Sequence, residues 1–222
     1  MCINICKFEK IEILPKEDMM EEKVKGRLII IGGAEEKSYR GVVLQKVVEL
    51  SGGEDANIVV VTVATQNPKE QGDRYVNIFK GMHVENVNLV HIESRKDANS
   101  IENIKVLEKA SCIFFTGGDQ LRITSLMGGT ESEMLIRRKY TTGTIVAATS
   151  AGASAMSEPM ITSGNDDDSP KKCTLKMAPG LGLLKGTIID QHFAQRGRIG
   201  RLLLAIAQNP HMLGVGIDED TG

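Results

Sequence analysis

The chain has 222 residues, 41% of them hydrophobic and 25% charged, with a formal net charge of −2. That length suits one domain with its own core, and the composition is that of an ordinary soluble globular protein. The near-neutral balance argues against a general nucleic-acid binder, and no apolar run is long enough to span a bilayer.

Residues 1–26 form a polar lead-in, with one short strand predicted at Ile11–Leu14. Lys7, Glu9, Lys10, Glu12, Lys16, Glu17 and Asp18 are mixed among its apolar residues, which is not a signal-peptide pattern. A cytoplasmic protein without membrane partner is therefore expected. Cys2, Cys6, Cys112 and Cys173 are too few and too scattered for a disulfide framework or a zinc site, so no metal is expected.

From residue 27 to 222 the chain reads as a single α/β domain. Leu28–Ile31 is a short apolar run ending in Gly32-Gly33, as suits a strand buried on both faces of a parallel sheet. A helix follows through Val42, Val43, Val47, Val48 and Leu50, stopped by Ser51-Gly52-Gly53. Ile58–Val63 is the second strand, 70–82 a helix, Val87–Ile92 a strand and 98–109 a helix. Cys112–Phe115 is a strand ending in Gly117-Gly118, followed by helices near 119–127 and 131–140. Thr144–Ala148 runs as a strand into Ser150, and 162–180, rich in Gly, Asn, Asp and Pro, is predicted as the longest loop. Ile188-Ile189 and Leu213–Ile217 are the last strands. In the last clear helix, Ile199, Leu202, Leu203 and Ile206 fit the buried stripe and leave Arg198 and Arg201 off it. Alternating units of this kind predict a doubly wound, mostly parallel sheet with helices on both faces.

Ligands of such sheets bind beyond the carboxyl ends of the strands. Ser150 ends a strand and is followed by the small residues Ala151, Gly152, Ala153, Ser154 and Ala155, as a tight nucleophile elbow requires. The strict G-x-S-x-G pattern is not met, because position 148 is Ala. The plainer alternative is a serine N-cap at a closely packed helix start. His192 follows another strand end and is a candidate base, or else a satisfied structural histidine. Asp218 and Glu219 follow the final strand, and by position either can orient an imidazole. Gly117-Gly118 offers backbone N–H groups, or simply a turn with positive φ. Gly32-Gly33 lacks the G-x-G-x-x-G spacing, and no P-loop motif is present. Arg196, Arg198 and Arg201 can clamp carboxylates or line a solvated basic face.

Four segments taken together resemble the cyanophycinases, within the serine peptidase family that also holds aspartyl dipeptidases. They are Ile30-Ile31-Gly32-Gly33-Ala34-Glu35, Thr116-Gly117-Gly118-Asp119-Gln120-Leu121-Arg122, Thr149-Ser150-Ala151-Gly152-Ala153, and Asp190-Gln191-His192-Phe193 running on through Arg196, Arg198 and Arg201. Gly216-Ile217-Asp218-Glu219 is a fifth. The resemblance implies a flavodoxin-like or class I glutamine amidotransferase-like sheet. It also implies a Ser–His–Glu triad of Ser150, His192 and Glu219, with oxyanion donors on Gly118 and Ala151. The implied substrate pocket is Gln120, Asp190, Gln191, Arg196, Arg198 and Arg201, and the implied substrate is cyanophycin, a poly-aspartate carrying arginine on each side chain. Cleavage through an acyl-enzyme would release β-aspartyl-arginine dipeptides and would need no cofactor. Asp166–Asp168 can add to the attraction for the arginines. Relatives often pair, so the resemblance allows a homodimer. Family members continue through further strands and a helix, so the end at Gly222 reads as a C-terminal truncation. The alternatives are an α-aspartyl dipeptidase on the same scaffold and a non-enzymatic amidotransferase-like binding protein.

Overall fold

The computed structural model describes residues 24–164 and 175–222. The predicted strand at Ile11–Leu14, Cys2, Cys6, Cys173 and Asp166–Asp168 lie outside them.

Five strands form the main sheet: β1 (Leu28–Ile31), β2 (Asn57–Val61), β3 (Asn86–Val90), β4 (Cys112–Phe115) and β5 (Ile145–Thr149). All pair in parallel, in the order β1-β5-β4-β2-β3. Parallel pairing demands crossovers, which the helices supply. These are α1 (Val42–Ser51), α2 (Pro68–Gly81), α3 (Ile101–Glu108), α4 (Gln120–Met127) and α5 (Glu131–Thr142).

The apolar runs look uniform in sequence, but strand geometry sorts them by alternation. Ile58, Val60, Cys112, Phe114, Ile145 and Ala147 face Leu44, Val47, Val48, Tyr75, Ile78 and Phe79 of α1 and α2. Their neighbours Val59, Val61, Ile113, Phe115, Val146 and Ala148 face Leu107, Ile123, Met127, Leu135 and Ile136 of α3, α4 and α5. The sheet is thus covered on both faces, as expected. Tyr75, Phe79 and Phe114 form one aromatic cluster, with ring centroids 4.9–6.3 Å apart. Cys112 lies within this interior, and burial pushes its thiol up to about 12, so it is an inert core residue.

Helix ends follow local chemistry. Gly52 closes α1 in the left-handed region at φ 118°, a conformation that suits glycine. The predicted helix 98–109 splits, because the Ser100 hydroxyl caps α3 and leaves 97–99 as a separate 3-10 turn.

After β5 come the five-residue helix α6 (Ala151–Ala155) and the antiparallel pair β6 (Pro159–Ser163) and β7 (Lys176–Pro179). These strands correct the long-loop reading at both ends of 162–180. Each is four or five residues long with a proline at one end, so neither shows the alternation that announces a strand. Finally β8 (Thr187–Gln191), α7 (Ile199–Gln208) and β9 (Leu213–Ile217) form a parallel pair with its own small core of Ile161, Ile188, Leu202 and Ala205.

The buried stripe expected on α7 is corrected by one residue. Ile199 and Leu203 are exposed, whereas Arg198, Leu202 and Ala205 are buried and Arg201 nearly so. Positions 198, 201, 202 and 205 still follow the helical spacing of one face. The face turns inward because a buried carboxylate, Asp190, waits for the arginines.

Among the described residues, no helix is long and apolar enough to cross a membrane.

Candidate active site

Ser150, His192 and Glu219 come from the carboxyl ends of three strands, β5, β8 and β9. The first belongs to the main sheet and the other two to the parallel pair β8-β9. What joins the sheets is the turn after β1. Gly32 accepts a hydrogen bond from the backbone N–H of His192 (2.8 Å) and donates to the carbonyl of Thr221 (2.9 Å). Gly33 accepts from Asp220 N–H (2.9 Å), and Ile31 accepts from Ser150 N–H (3.0 Å). One glycine turn therefore ties all three segments together.

Ser150 adopts φ 54° and ψ −118°, a conformation that is costly for a residue with a Cβ. A strained residue between a strand and a helix has the geometry of a nucleophile elbow, which lifts the hydroxyl clear of the strand. The serine makes no side-chain cap to its helix, so the simple N-cap reading does not hold. Small neighbours are needed here. A Cβ on Gly152 would lie 3.0 Å from the carbonyl oxygens of Phe115 and Thr116, and one on Gly117 3.1 Å from the Ser150 Cβ. Ala148, where G-x-S-x-G requires glycine, is fully buried in β5, and its methyl joins the core cluster on the α3–α5 face. Strain is concentrated around this point: Ala34, Ser150, His192 and Asp220 all have positive φ. Such residues persist only where surrounding structure over-determines them.

The hydroxyl Oγ lies 2.9 Å from His192 Nε2, and His192 Nδ1 lies 2.6 Å from Glu219 Oε1. His192 is 8% exposed and the Glu219 side chain 34%, so the imidazole is shielded while the carboxylate keeps contact with solvent. Of the two acids after β9, Glu219 is the one hydrogen-bonded to the imidazole. Asp218 Oδ1 accepts from Ala194 N–H at 2.8 Å and so caps the turn that follows His192. Gln195 Oε1 accepts from the Glu219 N–H (3.0 Å), and Phe193 packs flat against Gly216, where any Cβ would strike the ring at 2.5 Å.

Gly33 has φ +100°, and a Cβ built on it would come 2.4 Å from His192 Nε2 and 3.0 Å from Ser150 Cβ. Gly33→Ala is therefore expected to push the imidazole off the hydroxyl. Hydrolytic activity should fall by about 10²-fold or more, while far-UV circular dichroism stays that of the wild type.

Of the oxyanion candidates, Ala151 is the first residue of α6, and its N–H has no intrahelical acceptor. Gly118 sits at φ +146°, packed so closely on Ala64 that a Cβ would lie 2.2 Å from its carbonyl oxygen. With only five residues, α6 contributes the local N–H of Ala151 rather than a large dipole.

The remaining predicted residues fall into two groups. Gln120 opens α4, and its amide donates to the carbonyl of Ile161 (2.8 Å), steadying β6 beside the site. Asp190 is fully buried, with Arg201 Nε on Oδ2 at 2.7 Å, a second Arg201 nitrogen on Oδ1, and Arg198 3.8 Å away. Arg198 in turn donates to the Gln191 carbonyl (2.7 Å) and to Gln191 Oε1 (3.2 Å). The solvated-basic-face alternative therefore fails for Arg198 and Arg201. Arg196 remains exposed on the turn after His192. No group of three or more His, Cys, Asp and Glu side chains among the described residues is placed to hold a metal ion.

A strained serine on a parallel α/β sheet, linked to a shielded imidazole, is the equipment of acyl-transfer hydrolases, and the chain is a serine peptidase by class. Its family follows from comparison. Residues 28–222 match the profile of peptidase family S51, and the chain belongs to that family. It is 38% identical over 203 residues to the cyanophycinase of Geminocystis herdmanii (strain PCC 6308), covering 91% of this chain and 75% of that one. It is equally 38% identical over 201 residues to the cyanophycinase of Trichormus variabilis (strain ATCC 29413 / PCC 7937), covering 90% and 67% respectively. The crystal structure of a peptidase from an acI-B1 Actinobacterium superposes with a TM-score of 0.66 at 18% identity, covering 89% of this chain and 82% of that one. At that identity it supports the fold alone.

Proposed function

We propose that this chain hydrolyses cyanophycin to β-aspartyl-arginine dipeptides, with Ser150 as nucleophile, His192 as general base and Glu219 as the group that orients it. The observation that carries the reading is the continuous hydrogen-bonded line from the Ser150 hydroxyl through His192 to Glu219.

His192 Nε2 takes the Ser150 proton as Oγ attacks the aspartyl carbonyl. Glu219, on Nδ1, holds the tautomer and stabilises the imidazolium. The N–H groups of Ala151 and Gly118 hold the developing oxyanion. Collapse of the tetrahedral adduct breaks the peptide bond, and the imidazolium returns its proton to the leaving amine. Water, deprotonated by His192, then releases the acyl group and restores the hydroxyl.

The substrate class rests on the relatives named cyanophycinase and on charge chemistry beside the triad. Each unit of the polymer presents a free α-carboxylate on its arginine, which a guanidinium holds well. The exposed Arg196 is suited to meet it directly. Asp190 acts one step away: its oxygens are occupied by Arg201, so it orients the arginines rather than meeting substrate guanidinium itself. Gln120 and Gln191 complete the pocket.

The test is dipeptide release from purified cyanophycin, run in parallel with α-aspartyl dipeptides. Release of β-Asp-Arg from the polymer with little turnover of the dipeptides is expected. The reverse preference would assign the chain to dipeptidase chemistry instead.

A further inference from the structure

Two carboxylates among the described residues are buried, Asp190 and Glu35. Asp190 faces arginines, but Glu35, 2% exposed, has different company. Its Oε2 accepts from the Thr149 hydroxyl at 2.5 Å, and its Oε1 accepts from the Tyr75 phenol, with Lys37 Nζ 3.4 Å away. An acid is buried at a cost that only such partners offset. A glutamate whose sole task was to fill space would be readily replaced by an apolar residue.

Its two neighbourhoods show what it joins. Thr149 is the last residue of β5, immediately before the strained Ser150. On the other side, Glu35 belongs to the turn after β1 that bonds to His192, Asp220 and Thr221 and presses Gly33 against the imidazole. The next residue, Glu36, donates its N–H to Asp220 Oδ1 at 2.9 Å. Four non-glycine residues in these segments hold positive φ, so the turn needs an anchor. Burial and the adjacent Glu35 carboxylate hold the Tyr75 phenol well above its ordinary value, so it stays a donor.

We propose that Glu35 is a positioning residue: its carboxylate clamps the turn 32–36 to Thr149 and keeps the Ser150 hydroxyl and the His192 imidazole in register. This rests on the Ser150–His192 reading above.

The test uses two variants of the full chain. Thr149→Val removes the donor and keeps the branched shape, and Glu35→Gln removes the charge and keeps the volume. Four quantities are read in each: the rate at which a fluorophosphonate labels Ser150, kcat and KM on the polymer, and the chemical shift of the His192 Nδ1–H proton by NMR. Both variants should show labelling rates and kcat reduced by about 10- to 100-fold, with KM nearly unchanged, and a shifted or broadened His192 proton. A folded variant, by circular dichroism, with labelling and kcat within about twofold of wild type overturns the assignment. If Glu35→Gln does not fold, Thr149→Val carries the test alone. Failure of the serine reading is distinguishable, because wild type itself would then go unlabelled. In that event the His192 proton decides for Glu35, and a resonance unmoved in both variants overturns the assignment.

Discussion

Replacing Ser150 by alanine is expected to abolish polymer hydrolysis, with kcat reduced by about 10⁶-fold, as for loss of the nucleophile in serine peptidases generally. The reason is local. In the proposed reaction Oγ bonds to the acyl carbon, and it is the hydroxyl that lies 2.9 Å from His192 Nε2. His192→Ala should cost about as much, and the double variant little more, because hydroxyl and imidazole act as one unit. Both single variants should still bind the polymer, since the arginines and Gln120 are untouched. Dipeptide release by chromatography and polymer binding by sedimentation separate the two effects. Additive losses in the double variant would mean that Ser150 and His192 do not work together.

The second large effect is expected on stability rather than chemistry. Asp190→Asn removes a fully buried charge that takes two guanidinium nitrogens of Arg201 and has Arg198 3.8 Å away. Taking one partner from a buried ion pair costs about 3–5 kcal/mol, because the remaining charge was desolvated in expectation of it. For a chain of this size that lowers Tm by roughly 10 °C. The loss should be visible in differential scanning calorimetry. In a cycle with Arg201→Met, the two changes together should cost less than their sum. A wild-type Tm for Asp190→Asn would show that the pair contributes no net stability. If the melting shift appears but the polymer KM also rises, the same carboxylate supports the binding surface through the arginines, as proposed.

These expectations rest partly on features visible in the bare sequence. Leu28–Ile31, Cys112–Phe115 and Leu213–Ile217 coincide with their strands, because each is a short apolar run closed by a turn of glycine or acidic residues. Ser150 and His192 were legible from position, small neighbours and strand ends. The resemblance points to Glu219, while position alone leaves Asp218 equal to it; in the structure Asp218 instead accepts from the Ala194 N–H. The apolar run predicts a second strand to Val63, but its ladder stops at Val61; Val63 and Ala64 stay buried in the loop that packs on Gly118, so hydrophobicity does not mark the strand's end.

Other features were hidden for physical reasons. Hydrophobicity counting on α7 favoured Ile199 and Leu203 and missed Arg198 and Arg201, because an arginine's place depends on a partner eight or eleven residues away in Asp190. Glu35 looked like any acid after a strand. Its partners, Tyr75 and Thr149, are 40 and 114 residues distant and meet it only once the sheet has formed. The joining of the main sheet to the β8-β9 pair is not legible either, since it is made by backbone bonds of Gly32 and Gly33 rather than by side chains.

One measurement bears most directly on the whole account: mass spectrometry of the chain after treatment with a fluorophosphonate. A single adduct should appear on the peptide holding Ser150, slowed strongly by Gly33→Ala and lost in His192→Ala. An untouched Ser150, or an adduct that forms equally fast without His192, would contradict the claim that this hydroxyl is activated by that imidazole.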